Sequence, residues 1–325
     1  MTLLEATPSI KKLQNKYLYL NNNFPRTCVY RIGSESGFFS EYNNLLLFAL
    51  NCYIDKISLK INSKYANFKF KQGWKDYFFP SLEEYESPIN LINTRYHTFK
   101  KVKNPIASSF KSFLVETHKK IYNIDYFTQD LWTKYRNNRN DYNRKFNFPE
   151  FDFKGNLVEA LNLINSFIFK PNEKVIQHIE NLITDIGLPE KYIAFHIRQG
   201  DKAHEYQLYE VEKYFDAEVS NYQLKNAFIY TDDISIIEKI KQSYPQWNFF
   251  YDKSLITGGY DHKMFQSMPK DIKYNLQISL IANSIILSRG VKFVGTSSSN
   301  IGIFVGIMKK NMNCKFIDYE QWVFC

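Results

Sequence analysis

The spacing of apolar and polar positions changes along the chain, and each spacing assigns an element. Residues 28–32, Cys-Val-Tyr-Arg-Ile, form a short apolar run that ends in a Gly-Ser-Glu-Ser-Gly loop at 33–37. Residues 38–54 then crowd Leu45, Leu46, Leu47, Ala49, Leu50 and Tyr53 together, which predicts a buried helix with Ser40 as its N-cap. Residues 56–61 alternate at period two and predict the next strand. Residues 28–61 therefore read as a β-loop-α-β unit. Residues 65–155 are aromatic, basic and weakly periodic. Helices are expected around 107–122 and 125–139, the second capped by Asp125 or Thr128, with a turn-rich stretch at 137–144. Residues 155–185 read as helices broken near Lys170-Pro-Asn172.

From residue 191 the alternation is clear. Strands are predicted at 192–197, 226–230, 247–251 and 291–295. Helices are predicted at 209–221, from 234 to 244, at 274–288 and at 299–309. Strands that alternate with helices indicate a parallel sheet wrapped on both faces. The fold class is α/β in two domains, with the boundary near residue 185.

Composition removes several classes of function. At 325 residues with 44% hydrophobic positions, the chain can build two cores and does not read as disordered. The net charge of +9 suits an anionic partner, but the lysines are scattered. No arginine-rich arm or zinc-finger spacing accompanies them, so nucleic acid is not the expected partner. The four cysteines, Cys28, Cys52, Cys314 and Cys325, match no metal motif and are too few to staple the chain. The first residues lack the apolar core of a signal peptide, and the longest apolar run, 45–54, is too short for a bilayer. The expectation is a soluble protein, cytoplasmic by default, with no integral membrane segment.

Ligands of open parallel sheets bind at the carboxyl ends of the strands. Three predicted strands end in polar clusters: residues 196–202 (His-Ile-Arg-Gln-Gly-Asp-Lys), 231–233 (Thr-Asp-Asp) and 295–300 (Gly-Thr-Ser-Ser-Ser-Asn). The last runs from a strand into a helix start, where unpaired N–H groups and the helix dipole favour an anion. Ser297, Ser298 and Ser299 can equally serve only to cap that helix. The spacing is not that of a P-loop. Arg198 supplies a matching cation, because a guanidinium fork holds two oxygens of a diphosphate and stays charged. It can instead pair with Asp201 or Asp232.

Taken in order, residues 196–202, 229–233 (Ile-Tyr-Thr-Asp-Asp) and 287–300 (Leu-Ser-Arg-Gly-Val-Lys-Phe-Val-Gly-Thr-Ser-Ser-Ser-Asn) resemble the fucosyltransferase superfamily. The match is closest to the α-1,6-fucosyltransferase and NodZ branch and covers about residues 190–310. A fainter likeness lies at 73–80, Gly-Trp-Lys-Asp-Tyr-Phe-Phe-Pro, near that family's donor site. The resemblance implies a GT-B architecture, two Rossmann-like domains facing each other across a cleft. Residues 1–185 would form the acceptor side, with a helical insertion. Residues 186–310 would bind the nucleotide sugar, and 311–325 would pack back on the N-terminal domain. It also implies transfer of fucose from GDP-fucose to a glycan hydroxyl, inverting, with no metal and no cofactor. The partners would be the nucleotide-sugar donor and a glycan or glycoconjugate acceptor.

By position in the motifs, Arg198 matches the diphosphate-binding arginine and His196 a place near the nucleotide. Thr296, Ser297, Ser298, Ser299 and Asn300 match the phosphate loop. Asp232 and Asp233 match the acidic pair behind the site, and Gly33 and Gly37 match a glycine-bearing donor loop. Glu205 falls nearly where the α-1,6 enzymes carry their base, with His204 beside it, and Lys202 matches an assisting lysine. Two departures stand out. Gln199 replaces a second arginine, and Asn283 falls where the family reads guanine with an aspartate. An amide offers one acceptor where a carboxylate offers two, so a different GDP- or UDP-linked sugar fits as an alternative. A non-catalytic glycan- or nucleotide-binding protein is a further alternative. The loop at 258–262, Gly-Gly-Tyr-Asp-His, and a metal reading of Asp232-Asp233 are both weaker candidates.

Overall fold

The computed structural model describes residues 8–33, 36–87, 89, 105–137, 139–198, 209–216, 219, 221–254, 265, 267–319, 322 and 324. The chain divides into two compact units, Met1–Asn172 and Glu173–Cys325.

The first unit contains α1 (Pro8–Asn22), β1 (Arg26–Arg31), α2 (Phe38–Ile54), β2 (Ile57–Asn62), α3 (Pro105–Ile121), β3 (Tyr126–Phe127), α4 (Thr128–Asn137), the hairpin β4 (Phe146–Phe148) and β5 (Phe153–Gly155), and α5 (Leu157–Ile168). Its sheet runs β2-β1-β3, all parallel. The N-cap of helix α2 is Gly37 and not the expected Ser40, whose carbonyl accepts the Asn44 side chain. The expected 125–139 helix is shortened because its first residues join the sheet. Asp125 accepts the Thr27 amide at 2.7 Å and Thr128 accepts that of Arg31 at 2.8 Å. Both candidate caps therefore tie β3 to β1. Helix α1 was not legible from spacing. Its Asn21 side chain donates to the Leu59 carbonyl (3.1 Å) and accepts from the Leu59 amide (2.9 Å), so it pairs the outer edge of β2 as a strand would. Helix α5 starts with a capping box formed by Asn156 and Glu159. The 73–80 segment is packed as core: Trp74 is fully buried and stacks on Phe78 at 4.2 Å.

The second unit contains α6 (Glu173–Asp185), β6 (Ile193–Ile197), α7 (Val211–Tyr214), β7 (Asn226–Thr231), α8 (Ile236–Ser243), β8 (Asn248–Tyr251), α9 (Lys270–Arg289), β9 (Lys292–Gly295), α10 (Asn300–Met308) and β10 (Cys314–Phe316). The five strands run β10-β9-β6-β7-β8, all parallel. The central strand β6 is buried along its whole length, as expected of a strand covered on both faces. The boundary falls after Asn172, not near 185. Val175, Ile179 and Leu182 form one apolar stripe on α6, and this helix packs against α9. Spacing shows such a stripe but not which core it joins. The tail adds β10 to the second sheet, with Phe316 in register with Gly295. Among the described residues, no helix is long and apolar enough to cross a membrane.

Candidate functional site

Strands β6, β7 and β9 are neighbours and parallel, so their carboxyl ends lie on one edge of the sheet. Phe195 pairs with both Ile229 and Val294, which places the three polar clusters side by side. His196 is buried within β6. Its Nδ1 lies 3.4 Å from the Ser299 hydroxyl, and its ring stacks near Tyr230 at 5.8 Å. Burial first, and the Arg198 charge second, push its pKa down to about 3. His196 is therefore neutral at physiological pH and acts as a hydrogen-bonding group. Its folded pKa lies below the ordinary value of 6.5, so the unfolded chain takes up a proton first as pH falls. Stability is complete above pH 6.5 and is lost on acidification toward 3, with a slope approaching ~1.4 kcal/mol per pH unit. His196→Gln is expected to flatten that acid limb. Melting temperatures measured from pH 7 to pH 4 check it, and parallel curves for the two proteins contradict it.

The hydroxyl loop follows β9. Ser299 is the N-cap of α10, and its hydroxyl accepts the Ile301 amide at 3.2 Å and the Gly302 amide at 3.4 Å. Asn300 opens the helix. The capping reading of this segment is thus realised at Ser299. The amides of Ser297 and Ser298 donate to Asp318, at 2.9 and 2.8 Å. Asp318 lies beyond β10 and was not singled out from sequence. The Thr296 hydroxyl is buried and has no hydrogen-bond partner among the described residues. Gly302 lets the helix approach the loop closely, since a Cβ there would fall 1.8 Å from the Thr296 carbonyl oxygen. Gly302→Ala is expected to force the two apart and destabilise the unit by ~1–3 kcal/mol, read as a lowered urea midpoint. An unchanged midpoint contradicts that close approach.

Arg198 follows β6 directly, and its backbone amide donates to the Tyr214 hydroxyl at 3.4 Å. Tyr214 is fully buried. Burial raises its pKa most; Asp232 and Asp318 raise it further, while Arg198 opposes them. The phenol therefore lies within electrostatic reach of groups from three strand ends. Tyr214 was also missed from sequence, because nothing in a short helix identifies which aromatic ring turns back to the sheet edge. Asp233 forms the turn after β7. Its carboxylate accepts the Ser235 amide at 2.9 Å, and its own amide donates to the Thr231 hydroxyl at 3.1 Å.

Asn283 sits on α9 and is fully buried. Its Nδ2 donates to Asp252 at 2.9 Å and to the Ser279 carbonyl at 2.8 Å. A carboxylate only accepts, so Asp252 fixes the orientation of this amide. Asn283 Oδ1 then faces away, buried and without a hydrogen-bond partner among the described residues. Burial raises the Asp252 pKa, but hydrogen bonds from Ser254, Ser279 and Asn283 outweigh it and hold the group below the ordinary carboxylate range. Asp252 stands at the end of β8, so the rule that located the other clusters could have found it.

Gly33 and Gly37 belong to the first unit, beyond β1. Gly33 has φ +74°, a conformation that favours glycine, and its carbonyl accepts the Asn67 amide at 2.7 Å. Gly37 precedes α2. Gln199, Asp201, Lys202, His204, Glu205 and residues 258–262 lie outside the described residues. Among the described residues, no group of three His, Cys, Asp or Glu side chains is placed to hold a metal ion.

Each of the two units is an α/β unit built on a parallel sheet. No family model and no curated protein matches the chain. Among solved structures, NodZ alpha-1,6-fucosyltransferase co-crystallized with GDP superposes with a TM-score of 0.50 at 12% identity, covering 85% of this chain and 90% of that one. The selenomethionine form of fucosyltransferase NodZ from Bradyrhizobium gives 0.50 at 11% identity, covering 89% and 92%. An Arabidopsis thaliana FUT1 mutant in complex with GDP gives 0.49 at 11% identity, covering 94% and 74%. The fold of this chain is similar to that of the two NodZ structures.

Proposed function

We propose that this protein is an inverting, metal-independent glycosyltransferase that moves fucose from GDP-fucose to a hydroxyl of a glycan or glycoconjugate. The observation that supports the reading is the adjacency of three parallel strand ends, which carry Arg198, Asp232 and the Thr296–Asn300 loop on one edge of the sheet. The NodZ structure co-crystallized with GDP, which has this fold, agrees with a guanine nucleotide as ligand. In the proposed reaction the acceptor oxygen forms a bond to the anomeric carbon as the bond from that carbon to the diphosphate breaks. The acceptor proton passes to Glu205, or to His204 beside it, and GDP departs. Arg198 and the loop hydroxyls stabilise the charge that develops on the diphosphate, with Lys202 assisting.

A second reading keeps the fold and changes the donor. It is favoured by Asn283, which presents one fixed acceptor where guanine recognition uses two. Both readings are tested by incubating the protein with GDP-fucose, GDP-mannose and UDP-glucose, with and without EDTA, and following nucleotide release. Selective release from GDP-fucose that survives EDTA is expected. Release from another donor supports the second reading, loss of release in EDTA refutes metal independence, and binding without release supports a non-catalytic protein.

A further inference from the structure

The tail after α10 grips the hydroxyl loop on both sides. Before the loop, β10 pairs with β9, and the Ile317 amide continues that ladder to the Gly295 carbonyl at 2.9 Å. Beyond the loop, Trp322 is buried against α10 and its Nε1 donates to the Ile303 carbonyl at 3.2 Å. Between these anchors stands Asp318. Its two carboxylate oxygens accept the amides of Ser297 and Ser298, one each. A loop that turns between a strand and a helix must satisfy these amides, and a carboxylate accepts both more strongly than a neutral group can.

We propose that Asp318 is a positioning residue for donor binding, resting on the reading of this sheet edge as a nucleotide-sugar site. By holding the two leading amides, it fixes the loop backbone and leaves Ser298, the one loop serine that is not buried, and Arg198 to meet the diphosphate. Charge alone argues for the opposite effect. Asp318 is bonded to the loop that is expected to face the diphosphate, so its negative charge by itself would repel that group. The sign of a substitution therefore separates a group that shapes the loop from an anion that merely occupies it.

Asp318→Asn preserves size, removes the charge, and sets an NH₂ against one of the two amides. GDP binding by calorimetry and hydrogen exchange across residues 293–300 are measured on the full chain. The expected result is ~10-fold weaker binding of GDP, with faster exchange of the loop amides. Equal or tighter binding overturns the proposal, and so does unchanged exchange. If Asp318→Asn does not fold, Trp322→Phe loosens the second anchor and should again speed exchange and weaken GDP several-fold; faster exchange with unaltered affinity overturns the proposal. A wild-type protein that does not bind GDP refutes the underlying site reading instead.

Discussion

Glu205→Gln should leave GDP affinity unchanged and lower transfer by ~10²–10⁴-fold, the usual contribution of a positioned general base. The substitution keeps size and hydrogen-bonding capacity while removing the ability to take a proton near neutrality. Both quantities have to be read. Equal losses of affinity and turnover would identify a binding group, and unchanged turnover would move the proton-accepting role to His204. The assignment of Glu205 rests on its place after Arg198 in the motif, and GDP release from GDP-fucose in the presence of an acceptor glycan tests it without structural assumptions.

Arg198→Ala should weaken GDP by ~10–100-fold, since hydrogen bonds to a charged partner contribute ~1.5–3 kcal/mol. The melting temperature should change little, because Arg198 follows the buried part of β6 and its side chain is partly exposed. Arg198→Lys retains the charge but not the planar fork, and should recover only part of the affinity. Calorimetry beside thermal denaturation separates the cases. A collapsed melting temperature with intact affinity in the folded fraction would make Arg198 a structural residue.

What could be read from the sequence follows the range of the forces involved. The buried run of β6 and the polar ends of β6, β7 and β9 are local features, and together they fixed the sheet edge that carries the candidate site. Tyr214 and Asp318 are not legible because each acts through a partner distant in sequence, whereas Asp252 follows β8 directly and is within reach of the strand-end rule. Asp318, for example, reaches back to Ser297 and Ser298 across all of α10 and β10. The boundary was misplaced for a related reason, since the Val175–Ile179–Leu182 stripe is local while its packing against α9 is not. Strand β3 was absorbed into a helix because two residues are too short to establish a period. Asn283 shows a subtler gap: spacing located it on α9, but only Asp252 determines which way its amide faces.

A crystal structure of the GDP complex would show whether the sheet edge formed by β6, β7 and β9 holds a nucleotide diphosphate. Diphosphate oxygens are expected within hydrogen-bonding distance of the Arg198 guanidinium and of the Thr296–Asn300 loop, at Ser298 first. A diphosphate bound elsewhere, with Arg198 turned away from it, refutes a nucleotide site at this edge.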